Sequence, residues 1–271
     1  MEPSSMNKQL EPVLNQRVFE ARYEQGYRYL DRCGDAMVIL EDLLTEQTGA
    51  VWLPAEATPA SARIKCPDLE ITIVFSAQSL VVDQTPISDV SCDFAEIASA
   101  CLATITGRFD LRTFRRLGSR RFKVLPAPSD SIDAAEGLSA TIIPVPAWLA
   151  VADPSLGPRS SETSFVFETP DRSKGIRIST KPYSKISTDL QVDDRLKWPA
   201  HHLPSKQREA LLEQLKRAKV RQHDPEAGVM IDVDYYWMWP KKDFTVKDFL
   251  AQALEATDKM ERALLSGPAK K

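Results

Sequence analysis

The chain has 271 residues, 43% of them hydrophobic and 27% charged, which is the make-up of a folded globular protein with room for one or two domains. Its formal net charge of −3 is nearly balanced, so bulk electrostatics draw it neither to nucleic acid nor to an anionic membrane, and any basic footprint must be local. Cys33, Cys66, Cys92 and Cys101 form no CxxC pair and do not look like a disulfide framework. The N-terminus carries acids and prolines where a signal peptide needs a basic start, and no apolar run approaches the roughly 20 residues that span a bilayer. The expectation is a cytoplasmic, soluble protein with reduced thiols and no membrane association.

In chain order, residues 16–24 alternate as a strand does, with Phe19, Ala21 and Tyr23 on one face and Val18 and Glu20 on the other. Asp35 after Gly34 predicts a capped helix over 35–47, carrying Met37, Leu40, Leu43 and Leu44 and stopped by Gly49. Three short strands are expected at 62–66, 70–76 and 80–84, the middle one with Ile71, Ile73 and Phe75 on one face. Asp93 and Glu96 form a capping box ahead of an apolar stripe of Phe94, Ile97, Ala98, Cys101, Leu102 and Ile105, which Gly107 is expected to end. Residues 112–125 read as a long strand with a bulge at Gly118. Pro126 and Pro128 close this half, and the proline-rich stretch 144–161 reads as a surface connection.

Beyond it, strands are expected at 163–169 and 175–182 around a turn at 170–174, then a helix after Ser205 with Leu211, Leu212 and Leu215. Residues 228–239 alternate cleanly: Ile231, Val233, Tyr235 and Trp237 share one face, Asp232, Asp234 and Tyr236 the other. Thr245 and Asp248 cap a last helix with Phe249, Leu250, Ala253, Leu254, Met260 and Leu264, stopped at Gly267 and Pro268. This order predicts an α+β protein of antiparallel sheets with helices packed on one face. The N-terminal half, 11–128, reads as ferredoxin-like (split β-α-β) with an extra hairpin. The C-terminal half, 138–271, is a second α+β unit, either separate or joined to the first in one continuous domain.

Three segments carry a resemblance: VFEARYE at 18–24, RRLGSRRFKV at 115–124 after a helix, and IDVDYYW at 231–237 before a final amphipathic helix. Together they resemble a sporadically distributed prokaryotic family of α+β proteins of about this length. The resemblance implies the fold and an accessory role of the kind found in defence or mobile gene clusters. It implies no activity.

The strongest local signal is the run RFDLRTFRRLGSRRFK at 108–123. It sets seven basic residues, Arg108, Arg112, Arg115, Arg116, Arg120, Arg121 and Lys123, against the single acid Asp110, with Phe109, Phe114 and Phe122 interleaved. Arginines among aromatic rings on a strand can track phosphates and stack bases, or meet an acidic protein. They can also pair with acids on a neighbouring strand, and Asp232 and Asp234 stand on one face of a strand suited to that role. The same two aspartates invite a two-metal nuclease reading, which lacks a third carboxylate; Lys241 and Lys242 lie beyond Pro240, off the strand. His201, His202 and His223 with Asp224 have neither zinc-site spacing nor a placed nucleophile. No GxGxxG, Walker A or GxSxG motif occurs, which removes the commonest nucleotide and hydrolase chemistries. Tyr235, Tyr236, Trp237 and Trp239 suit either core packing or an exposed interface anchor.

The expected function is therefore a non-enzymatic interaction protein of accessory or toxin-neutralising type. It would bind a protein partner, or an anion, through Arg112, Arg115, Arg116, Arg120, Arg121 and Lys123. The alternatives are a nucleic-acid-binding protein using 112–123 and a metal-dependent nuclease using Asp232 and Asp234. No cofactor is expected, no metal site is assigned, and the oligomeric state is open.

Overall fold

A computed structural model of the chain describes residues 14–24, 26–87, 92–129, 131–142, 162–184, 227–241 and 243–265. The expected helix after Ser205, the three histidines, Asp224, Lys242 and the connection at 144–161 lie outside those residues, as do Gly267 and Pro268.

The described residues form four α-helices and nine strands. The strands are β1 (Leu14–Tyr23), β2 (Leu53–Ala57), β3 (Ala62–Cys66), β4 (Ile71–Phe75), β5 (Ser79–Gln84), β6 (Phe114–Pro126), β7 (Thr163–Glu168), β8 (Lys174–Ser184) and β9 (Ala227–Met238). The helices are α1 (Tyr29–Thr48), α2 (Phe94–Phe109), α3 (Ile132–Ile142) and α4 (Val246–Leu265). All nine strands join one antiparallel sheet in the order β2-β3-β4-β5-β1-β6-β9-β8-β7. The fold is α+β, and the sheet runs without a break from the N-terminal half into the C-terminal half across the β6–β9 pairing. No described helix is long and apolar enough to cross a membrane.

Alternation decides which face carries the helices. Phe19, Ala21, Ile64, Ile73, Phe75, Leu80, Val82 and Leu117 all point to one side, where they meet Tyr29, Leu40, Leu44, Ile97, Cys101, Ile105 and Phe109 from α1 and α2. Phe249 of α4 is fully buried over the junction of the halves, ringed by Phe19, Tyr235 and Trp237 at centroid distances of 6.2, 5.8 and 5.2 Å. A smaller cluster of Leu125, Ile178, Ile231 and Val233 lies farther along, with Ile142, Met260 and Leu264 packed against it.

Helix boundaries differ from the expected ones in instructive ways. The first helix begins at Tyr29, not Asp35, because a 3-10 turn at Gly26–Arg28 already starts the spiral; Asp35 lies inside the helix and bonds Arg108 instead of capping. Gly49 ends it as expected, in the left-handed conformation at φ 67°. Asp93 does cap α2, accepting from the Glu96 N–H at 3.0 Å, but the helix passes through Gly107 and stops at Asp110, which takes the left-handed turn. Likewise Thr245 Oγ1 accepts from the Asp248 N–H at 3.1 Å at the start of α4.

Candidate functional site

The face of the sheet opposite the described helices, called the open face below, collects the side chains that the sequence singled out. β6 lies at its centre, between β1 and β9, in regular register through Gly118 on both sides. The expected bulge at Gly118 is absent. The irregularity lies instead at Arg115, where Arg22 faces Arg116 but Tyr23 faces Phe114. That one extra residue turns Phe114 to the helix side, against Tyr23 and Phe244, while Arg116, Arg120 and Phe122 stay on the open face. Arg121 and Lys123 point the other way, under α4.

Gly118 serves a different purpose. A Cβ there would come within 2.3 Å of Arg116 Nη1, because the Arg116 side chain lies across the strand at that point. From there its guanidinium donates to Glu20 on β1 at 2.5 Å and to both oxygens of Asp234 on β9 at 2.7 Å. Arg120 makes the parallel bidentate contact with Asp232 at 2.6 Å. Such forked pairs are stronger and more directional than ordinary hydrogen bonds. Gly175 repeats the device on β8: the Tyr236 ring occupies the space a Cβ would need, with its hydroxyl donating to Glu168 at 2.6 Å and Arg116 above its face at 5.3 Å.

Electrostatics follow from this geometry. Burial pushes the Asp234 carboxyl above its ordinary value by more than Arg116 draws it down. The hydrogen bond to Asp232 raises Arg120 above the ordinary arginine value. Burial, and then Glu168, push Tyr236 up to about 12.

Every basic residue of 108–123 has an acidic partner. Arg108 meets Asp35 at 3.0 Å, Arg112 meets Asp110 at 3.4 Å, and Arg115 meets Glu24 at 2.8 Å. Arg121 meets Asp258 at 2.5 Å, and Lys123 meets Glu261. The concentration of positive charge read from the sequence is thus matched residue by residue in space. The four cations on β6 beyond Arg115 take acids from the C-terminal half: Asp234, Asp232, Asp258 and Glu261. The structure adds Glu20, Asp258, Glu261 and Glu168, which sequence reasoning did not single out. They sit in ordinary polar positions of a strand or helix, and only the pairing of β6 with β9 and α4 gives them their role.

Asp232 and Asp234 do not form a metal pair in this arrangement. Both oxygens of each are engaged by one guanidinium, and among the described residues no group of three His, Cys, Asp or Glu side chains could hold a metal ion. The aromatic cluster divides: Tyr235 and Trp237 pack on Phe249, Tyr236 belongs to the open face, and Trp239 is exposed at φ 50°. The four cysteines are free thiols, Cys66 and Cys101 buried and Cys33 and Cys92 half-buried.

Next to the arginine pairs the open face sinks into a shallow cleft of about 330 Å³ floored by Val18, Val81 and Gly118. Arg177 lines it and, among the described residues, donates only to Ser164, at 3.1 Å. Arg177, Lys181 and Lys65, all exposed on this face, have no acid within ion-pair distance among the described residues. At the end of the sheet, β7 presents Phe165, Val166 and Phe167 at 51%, 55% and 52% exposure, with no strand on its outer side among the described residues. No family model matches the chain, and no curated protein is significantly similar to it.

Proposed function

We propose that this chain is a non-enzymatic binding protein of accessory type that docks an acidic protein partner on the open face of its sheet and along the β7 edge. The observation that carries the reading is the β7 strand. Native sheets blunt their edges with charge, proline or a covering element, and β2, the opposite edge, has Pro54 and Glu56. β7 has three large apolar residues in a row on an edge that no other described strand covers, which is the pattern for strand addition by a partner. The unpaired cations Arg177 and Lys181 on the adjacent strand set the preferred charge of that partner.

Pairing weighs against the nucleic-acid reading. Cations already held by carboxylates release few counterions, so any oligonucleotide binding should be weak and should vanish quickly with salt. The engaged oxygens of Asp232 and Asp234 weigh likewise against the nuclease reading.

The test is recovery of the tagged chain from its native host under gentle conditions, beside two variants. Val166→Lys places a charge on the docking edge, and Arg112→Ala alters an exposed cation away from it. A stoichiometric acidic protein should accompany the wild type and Arg112→Ala but not Val166→Lys, with all three showing the same thermal midpoint. Recovery of the wild type alone, or a partner indifferent to Val166→Lys, overturns the proposal.

A further inference from the structure

On the helix side of the sheet a second cleft, of about 500 Å³, opens between the start of α2 and the middle of α4. Its floor is Arg17 of β1. The Arg17 guanidinium donates through Nε to Gln84 Oε1 at 2.6 Å, lies 4.5 Å above the Phe94 ring, and reaches Cys92 Sγ at 3.9 Å. No carboxylate lies within ion-pair distance of it among the described residues, in contrast to the cations that share the cleft: Arg121 is held by Asp258 and Lys247 by Glu96. Burial lowers the Arg17 pKa by more than Cys92 and Asp93 nearby raise it. Its Nε bond and its stack on Phe94 fix the plane of the guanidinium, so Nη1 is presented in a set orientation while Nη2 faces Cys92 Sγ.

The facing wall is apolar. Leu250, Ala251 and Leu254 of α4 line it together with Ile87. Leu254 belongs to the stripe expected to be core, yet it is 55% exposed and lines the cleft, while Ala253 and Thr257 beside it are the buried positions of that stretch. The Asn15 side-chain oxygen is buried in the same cleft with no hydrogen-bond partner among the described residues. A fixed, uncompensated guanidinium opposite an apolar wall, in a volume typical of small-molecule sites, describes a ligand with a single negative charge at one end and a hydrocarbon body.

We infer that this cleft binds a small organic carboxylate, an aromatic or short aliphatic acid, with its carboxylate on Arg17 and its body against Leu250 and Leu254. A phosphate dianion fits less well. Only one charge is uncompensated, and Asp93 at the rim would repel the second. The cleft lies across the sheet from the docking face, so this inference stands independently of the proposed function.

The test is calorimetric titration of the full chain with phenylacetate, its neutral amide phenylacetamide, and inorganic phosphate. Phenylacetate should bind saturably at one site per chain, and the amide and phosphate at least about tenfold more weakly, the loss expected when one charge-assisted contact goes unmade. Arg17→Gln should weaken phenylacetate by a similar factor. Ala251→Trp, at an exposed helix position, should block the mouth of the cleft and abolish binding while leaving the thermal midpoint unchanged. Absence of saturable phenylacetate binding overturns the inference. So does wild-type affinity in Ala251→Trp, and so does phosphate or the amide binding as tightly as phenylacetate.

Discussion

Arg116 is the residue on which the open face turns. Its side chain is 15% exposed and serves Glu20 and Asp234, which are themselves largely shielded from water. Removing one partner of a buried ion pair strands the other charge, at a cost of about 3–5 kcal/mol for full burial. With this partial exposure Arg116→Met should cost about 2 kcal/mol at neutral pH, measured by urea unfolding. Asp234 supplies the pH signature. Its folded pKa lies above the ordinary 3.8, so the folded state keeps a proton that the unfolded chain has lost. Its contribution to stability is therefore present below 3.8 and lost as pH rises through the folded value. In Arg116→Met its carbon-13 carboxyl titration should move higher still. Asp171 is the opposite case. In the β7–β8 turn its carboxylate accepts from Thr169 Oγ1 at 2.6 Å and from Ser173 N and Oγ at 3.1 and 2.9 Å, which pushes its pKa down to about 2. Stability from this group is present above 3.8 and lost as pH falls towards 2. Thr169→Val should return its titration part of the way to 3.8, and an unchanged titration would show that the turn does not hold it.

At the scale of elements, α4 is what joins the helix layer across both halves. Phe249→Ala removes a fully buried ring that touches three others, and a loss of about 4 kcal/mol is expected by chemical denaturation. A loss under about 1 kcal/mol would mean that the helix docks by other contacts. The strands and helices that sequence reasoning placed well are those with strong periodicity of their own: β1, β4, β9 and the capped starts of α2 and α4. The misses have local causes. β2 is exposed at every position, so it has no alternation to read. α3 is short and rich in small residues, with only Ala135 and Ser139 buried. Gly118 read as a bulge because a glycine inside a strand has two explanations, a bent backbone and a neighbour lying close. Only the course of the Arg116 side chain separates them. The candidate site was legible as a list of residues and not as an arrangement. Asp232 and Asp234 were visible as possible partners of the arginines, but Glu20, Asp258 and Glu261 acquire meaning only once three distant segments lie side by side.

The described residues make one sheet with two dissimilar sides. The helix side holds the core and, at one opening, the Arg17 cleft. The other side holds paired charges, a few unpaired cations and an apolar edge. Since β6 and β9 share a ladder running from Arg116–Met238 to Pro126–Gly228, the sheet leaves no boundary along which the halves could melt separately. A single cooperative unfolding transition, the same by circular dichroism and by tryptophan fluorescence, is the expected result; two resolved transitions would contradict it.

The matching of β6 by acids from the C-terminal half has a consequence in time as well as in space. A chain is made from its N-terminus, so Arg116, Arg120, Arg121 and Lys123 emerge more than 100 residues before the carboxylates of 232–261 that will hold them. Until then β6 is an open edge on which Glu20 alone answers Arg116 and nothing answers Arg120, Arg121 and Lys123, inside a cell crowded with RNA. A fragment comprising 11–128 reproduces that moment. It should adhere to mixed oligonucleotides in a strongly salt-dependent way, which the full chain should not do. With that outcome, the basic run that looks from sequence like a nucleic-acid footprint is a hazard of synthesis that the last strand and helix put to rest.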